Sequence, residues 1–368
     1  MLASFDDEKK IWRTEKVQMR ILVTGDKGYI GTVLTAKLVE AGHEVIGLDS
    51  DLYERCTFGT GLPDITSIRK DIRNVEVSDL RGFEAVVHLA ALSNDPLGNL
   101  NPALTYEINH RGTLRLAELA KEAGVRRFLF SSSCSTYGTA GDDILSEEAE
   151  FNPVTPYGHS KVLSERDVAA LADATFSPTF LRNATAYGLS PRMRFDLVLN
   201  NLVAWAFTTG RVLLRSDGSP WRPLVHVEDI SRAFLALLDA PKDLVHNRAF
   251  NVGRTNENYR IRDLAEIVKE TVPGCSIEYA PGAGPDKRCY RVNFGLIEKT
   301  FPNFQARWDV RRGAQQLYDA YKKEGLRAED FESARFNRID HIRKLLGDGR
   351  LDATLRWQAS SLAEKRAR

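Results

Sequence analysis

Tyr157-Gly158-His159-Ser160-Lys161 sets a phenol and an amine four positions apart. On a helix that spacing is about one turn, so both side chains project from one face. A free tyrosine ionises near pH ~10, too high for efficient proton transfer at neutrality, and lowering it by about three units takes roughly 4 kcal/mol. One ammonium about 4 Å away, at an effective dielectric of about 20, supplies energy of that order. The pair suits acid–base work on an alcohol, although an isolated YxxxK is common on solvated helices. A second cluster, Ser131–Gly138 (SSSCSTYG), follows an apolar stretch. If that stretch is a strand, its hydroxyls stand at the carboxyl end, where open α/β sheets bind ligands. Taken alone, a serine run is a polar loop.

Thr24–Gly31 reads TGDKGYIG, with glycines at 25, 28 and 31. The first permits a tight turn, the second lets backbone approach a pyrophosphate, and the third allows close helix–strand packing. The helix that follows directs free N–H groups and its positive end toward phosphates. Asp49 lies 18 positions beyond Gly31, close to the ~20-residue spacing of a ribose-binding carboxylate. A carboxylate there accepts from ribose hydroxyls and repels a 2′-phosphate. The residues that follow are Ser50 and Asp51, with no arginine, so NAD is favoured over NADP.

These groups need a scaffold, and the surrounding pattern supplies one. Met19–Thr24, His43–Asp49, Ala85–Leu89, Phe128–Ser131 and Thr179–Arg182 are short apolar runs that read as buried strands. Thr32–Ala41, Asn109–Ala123 and Tyr157–Ala172 suit helices. The alternation implies an α/β fold: a Rossmann-type doubly wound parallel sheet over 19–182, with a smaller C-terminal substrate-binding lobe. After Asn183 loops rich in Gly, Pro and Arg (188–194, 216–223, 281–288) mark that lobe, assigned to 183–224 and 256–310. Residues 225–255, with helix-like Val227–Ala240 and strand-like Ala249–Val252, are expected to return to the main sheet. Residues 1–18 form an N-terminal extension, and 311–368 a charged helical extension without a chemical motif.

Composition narrows the function. Across 368 residues, 51 Lys+Arg against 50 Asp+Glu leave a formal charge of +1, which argues against a strongly basic nucleic-acid binder. No apolar run reaches the ~18–20 residues of a membrane span, and the charged N-terminus lacks a signal-peptide core. The four cysteines (Cys56, Cys134, Cys275, Cys289) form no CxxC pair, so neither a metal site nor a disulfide framework is indicated. A reduced, cytoplasmic protein is expected, with no nucleic-acid or membrane partner.

From Met19 to Glu298 the ordered motifs resemble the extended short-chain dehydrogenase/reductase family, in its NAD-dependent nucleotide-sugar epimerase/dehydratase branch, and look like UDP-galactose 4-epimerase-like enzymes. The motifs are TGDKGYIG, Asp71-Ile72, His88-Leu89-Ala90-Ala91, Asn109 in NHRGT, SSSCSTYG, YGHSK, Asn183–Gly188 (NATAYG) and Arg222–Asp229 (RPLVHVED). The resemblance implies Tyr157 as acid/base, Lys161 as the group that lowers its pKa and holds the nicotinamide ribose, and Ser133 as the hydroxyl bonding the same sugar oxygen. It places NAD against Gly25, Gly28, Tyr29, Ile30, Gly31, Asp49, Asp71, Ile72, Leu89, Ala90, Ala91, Asn109 and Tyr187. It places the nucleotide sugar against Ser93, Ser133, Ser135, Asn183, Asn201, Leu202, Arg222 and Arg288, the two arginines as planar donor forks for a diphosphate.

The serine motif also bears on the reaction. Relatives that eliminate water carry Asp-Glu after the catalytic hydroxyl residue, and decarboxylases often keep a glutamate at the position of Ser135. Here Cys134 and Ser135 stand there, and serine is a poor replacement for a carboxylate in proton transfer near neutral pH. Epimerisation through a transient keto sugar is therefore expected. A nucleotide-sugar dehydrogenase or ketoreductase, and a non-catalytic NAD(H)-sensing relative, stay open. Arg215 departs from the aromatic residue often found near the base. Cys134, His88, His226, Trp205 and Phe207 read as packing or junction residues, and the helices around 109–123 and 157–172 as a homodimer face.

Overall fold

The computed structural model describes residues 4–6, 11–13, 17–59, 61–93, 98–99, 101–284, 288–302 and 304–358. Parts of both expected extensions and of the loop 281–288 lie outside them. The apolar runs form strands β1 (Arg20–Thr24), β2 (Glu44–Asp49), β3 (Ser67–Arg69), β4 (Ala85–His88), β5 (Arg127–Ser133), β6 (Ser177–Asn183) and β7 (Arg248–Val252). They make one seven-stranded sheet, ordered β7-β6-β5-β4-β1-β2-β3. Every pairing is parallel. Chain order reverses between β1 and β4, so the binding crevice opens at their carboxyl ends. Half-buried β3, of sequence SIR, carries no apolar run and was not legible as a strand.

Both faces of the sheet are covered. Ile21 and Val23 pack with Leu34, Leu38 and Phe234, whereas Leu22 packs with Leu116, Phe128 and Val168. Neighbouring residues of a strand point to opposite faces, which is why β1 and β4 read as continuous apolar runs. The first face is covered by α1 (Gly31–Glu40), the second by α2 (Gly112–Glu122) and α3 (Pro156–Ala169). At the start of α3 the Thr155 hydroxyl accepts from Gly158 N at 3.1 Å and Pro156 occupies the first turn, which suits a position needing no backbone donor. Ahead of α2, Tyr106–Arg111 form a π-helical turn that carries Asn109.

The second apolar mass lies under α4 (Val198–Thr209), α6 (Ile261–Thr271) and α7 (Val310–Glu324), while α5 (Val227–Asp239) gives it Val227 and turns Phe234 and Leu237 to the first face of the sheet beside α1. Leu199, Val203, Leu264, Leu317 and Tyr321 pack there around Phe195. Trp205 and Phe207 pack against the same cluster, and His226 caps α5 by accepting from Glu228 N at 3.2 Å. The chain then forms α8 (Arg338–Gly347). The helical expectation for the tail ends there: Gly349 takes φ +65° and the segment folds into a turn closed by a Leu351–Trp357 bridge.

One buried polar network joins the sheet to α3. Glu165 accepts from Ser132 Oγ and pairs with Arg182 at 2.8 Å. Arg182 Nη1 donates to Tyr137 Oη at 3.1 Å, and Tyr137 donates to Asn251 Oδ1 at 2.8 Å. It therefore ties β5, α3, β6 and β7 together directly beneath the serine run. Replacing Arg182→Ala strands the Glu165 charge in the interior and is expected to cost about 3–5 kcal/mol of stability in urea unfolding.

Candidate active site

A cleft of about 840 Å³ spans the carboxyl ends of the central strands, a size suited to a cofactor with its substrate. Its floor starts at the turn between β1 and α1. Gly25 has φ +77°, and a Cβ there would lie 2.7 Å from Ala90 N; a Cβ on Gly31 would lie 2.1 Å from Gly25 O. Only glycine allows this approach. Gly28, Tyr29 and Ile30 continue the lining. No side chain caps α1; Thr32, Val33 and Leu34 N already donate to Gly28 O and Ile30 O, so what the helix start offers a phosphate is the positive end of its dipole. The Tyr29 hydroxyl turns away and donates to Gly188 O at 2.7 Å, fastening this loop to the second lobe.

Asp49 ends β2 within the cleft and accepts from Lys27 N at 3.2 Å and Asp51 N at 2.7 Å. Burial raises its pKa, against the lowering effect of the Asp51 backbone hydrogen bond. Asp26, which the motif reading passed over, is pushed up to about 7 by burial and by the Asp49 charge. Asp71 caps the following 3-10 turn by accepting from Arg73 N at 2.9 Å and pairs with the Arg73 guanidinium at 2.6 Å. Ile72, Leu89, Ala90 and Ala91 complete this wall. The thin glycine turn, the uncapped helix and the carboxylate at the end of β2 fit a dinucleotide.

At the chemical end Ser133, Ser135, Tyr157 and Lys161 line one stretch of the cleft. Lys161 Nζ donates to Ser131 O at 2.6 Å and lies 5.7 Å from the centre of the Tyr157 ring. Burial pulls its pKa down to about 7, opposed by the Glu165 charge one helical turn away. Ser133 Oγ accepts from Ser135 N at 3.1 Å, and the buried Ser135 Oγ has no partner. Cys134 is buried and donates to Arg182 O at 3.2 Å, which fits packing. His88 is held between Thr24 Oγ1 at 2.6 Å and Thr113 Oγ1 at 2.8 Å, and burial lowers its pKa to about 3, so it is neutral.

Two expected cofactor residues do not reach the cleft. Asn109 accepts from Leu92 N at 2.8 Å and donates to Leu92 O at 3.1 Å and Ser160 Oγ at 3.2 Å. Its carboxamide clamps the loop after β4 to α3. Tyr187 is buried in the second core, its ring 5.2 Å from His226 and against Gly313, where a Cβ would lie 2.2 Å from the ring. A resemblance of motif gave the neighbourhood of each but not the direction of its side chain.

Of the residues expected to meet a substrate, Ser93, Asn183, Asn201, Leu202, Arg222 and Arg288 also border the cleft. Arg222 Nη1 donates to Trp221 O at 2.8 Å and to the Arg288 carbonyl, so the two arginines are neighbours. Asn183 Nδ2 donates to Ser131 Oγ at 3.1 Å and Ser132 O at 3.3 Å, while its Oδ1 is buried without a partner. That places Asn183 beneath the serine run rather than beside the arginine pair. Asn201 donates to Phe195 O at 2.8 Å. Arg194, missed in the sequence, is buried in the cleft wall; it pairs with Asp196 at 2.6 Å and donates to Ser93 O at 3.1 Å. Its signal was the basic run Pro191-Arg192-Met193-Arg194, which alone cannot tell a buried arginine from a surface one. Among the described residues no cluster of His, Cys, Asp or Glu is arranged to hold a metal.

Comparison with known proteins agrees with this geometry. The chain is 25% identical to a UDP-glucose 4-epimerase of Bacillus subtilis over 86% of its own length and all of that protein. It is 27% identical to UDP-glucuronic acid decarboxylase 1 of Arabidopsis thaliana, over 85% of this chain and 72% of that one. Among solved structures, MoeE5 in complex with UDP-glucuronic acid and NAD superimposes with a TM-score of 0.72 at 29% identity, covering 83% of this chain and 99% of that chain. Residues 21–253 match the NAD dependent epimerase/dehydratase family, and the chain belongs to that family.

Proposed function

We propose that this protein is an NAD-dependent nucleotide-sugar epimerase, acting by transient oxidation of a sugar hydroxyl to a ketone. The observation that carries the reading is Tyr157, Lys161 and Ser133 brought to one stretch of the cleft, with no carboxylate at positions 134 and 135. Bound NAD supplies a hydride acceptor that can return the hydride to either face of the sugar. Tyr157 takes the hydroxyl proton and gives it back; Ser133 hydrogen-bonds the same oxygen. Lys161, its ammonium anchored on the Ser131 carbonyl, favours the phenolate over the phenol. Arg222 and Arg288 hold a nucleoside diphosphate, consistent with relatives named for UDP sugars.

Net redox chemistry is the second reading, and the cofactor balance separates the two. An epimerase turns over on its bound NAD with none added, and NMR of a nucleotide-sugar panel shows an inverted product; stoichiometric consumption of NADH would refute epimerisation. Tyr157→Phe is expected to lower turnover at least about 10²-fold while the protein still binds NAD. Unchanged turnover would remove Tyr157 from the mechanism.

Lys161→Met tests the buried ammonium by its pH dependence. An unfolded lysine keeps its proton up to the ordinary value of 10.5, whereas folded Lys161 releases it near about 7. Between those values the unfolded chain binds more protons, so this residue makes the native fold gain stability as pH rises. Below pH 7 the penalty is complete, and near 10.5 it is gone. The stability difference, variant minus native, is expected to fall steadily from pH 7 to 10 in urea titrations, whatever constant cost the lost Ser131 bond adds.

We also propose a homodimer through the outer faces of α2 and α3, where Leu119, Val162 and Leu163 remain only half-buried. Light scattering is expected to give twice the chain mass; the mass of one chain would overturn it. A cytoplasmic setting suits the four cysteines, all free, and no helix among the described residues is long and apolar enough to cross a membrane.

A further inference from the structure

The end of the cleft that holds Asp49 and Ile72 is walled by residues some three hundred positions away in sequence. The turn after α8 is fastened there from several sides. Trp357 Nε1 donates to Ser50 O at 2.6 Å, and Arg73 Nη2 donates to Thr354 O at 2.9 Å. Arg350 pairs with Glu54 at 3.2 Å, and the Trp357 ring has the Arg69 guanidinium 4.7 Å from its centre. His341 of α8 meets Leu52 O at 3.0 Å. Two side chains of this segment, Arg338 and Leu355, border the cleft itself. Arg338 stacks on Tyr53, its guanidinium carbon 3.7 Å from the ring centre, and Tyr53 borders the cleft as well.

Leu355 carries the argument furthest. Its φ is +60°, a left-handed conformation that glycine adopts freely and a branched residue rarely. The turn is held by Leu355 N donating to Asp352 O at 2.9 Å and by the Asp352 carboxylate accepting from Thr354 N at 2.8 Å and Arg356 N at 3.0 Å. Glycine would fit that backbone better. What leucine adds is an isobutyl group, 5% exposed, in the same apolar cluster as Ile72, at the end of the cleft that also holds Asp49, the carboxylate suited to the adenosine ribose.

We propose that Leu355, with the Arg338–Tyr53 stack beside it, forms the outer wall of the adenosine pocket, so that NAD is kept as a resident group and leaves only when the C-terminal segment lifts. The proposal rests on the dinucleotide reading of the cleft. Leu355→Gly suits the φ of the turn while removing the wall, and Trp357→Ala frees the same turn from Ser50 and Arg69. With the fold of each variant checked by circular dichroism and thermal melting, release of bound NADH is followed by its fluorescence. Both variants are expected to release it about tenfold faster, the loss of roughly one buried aliphatic contact. Release from both at the native rate would overturn the wall and leave the cofactor site standing. If the native protein bound no NADH or NAD at all, the dinucleotide reading itself would fall, a result distinct from the first.

Discussion

Lys161 donates from a buried ammonium to the Ser131 carbonyl at 2.6 Å, and the rest of the chemical end is arranged around that contact. It joins α3 to the end of β5, two pieces of chain separated by a long excursion through the 3-10 turn and the loop after it. Tyr157 sits one helical turn earlier, so fastening Lys161 also sets where the phenol can point. Holding a charge there is costly: burial pulls the lysine's pKa down, and it settles at about 7 even with an opposing carboxylate nearby. The offset comes from Glu165, one turn further along the same helix. Glu165 is in turn paired with Arg182 and accepts from the Ser132 hydroxyl. A line of i, i+4 positions thus carries phenol, ammonium and carboxylate in sequence, each dependent on the next.

Charge is divided along the cleft. Asp49 and Asp71 lie in the cleft near the glycine turn and the ends of β2 and β3, where they present acceptors. Arg194, Arg222 and Arg288 line the opposite side, where they present donors. Between them lie the serine run and Tyr157, with neutral His88 below. Arg194 is already balanced by Asp196, so its contribution is the placement of the Ser93 loop as much as free charge. A ligand carrying hydroxyls at one end and phosphates in the middle matches this order of groups. The C-terminal segment then closes the acidic end, a role that no motif announces because its fastening is made by backbone carbonyls at Ser50, Leu52 and Thr354.

Much of this was legible in the residues. TGDKGYIG between an apolar run and an amphipathic one marks a strand–turn–helix because the glycines answer to local backbone geometry. YGHSK identifies its face because helical spacing is local too. β1, β4 and β5 were visible through burial on both sides, whereas β3 was not, since SIR is half-buried and too short to show a period. Asn109 and Tyr187 lie in the expected neighbourhood but turn to protein partners outside the cleft lining, because a motif does not report which way a side chain turns.

The sequence by itself determined the doubly wound sheet, the thin phosphate turn, the carboxylate at the end of β2 and the Tyr–Lys pair, all of which rest on interactions within a few residues or on the period of burial. Only the tertiary structure decided that Arg194 is buried in the cleft wall, that Asn109 clamps a loop, and that Leu355 and Arg338 return to border the site from the far end of the chain. Those facts depend on which distant surfaces meet, and that is settled by packing and by hydrogen bonds between segments whose sequences carry no trace of one another.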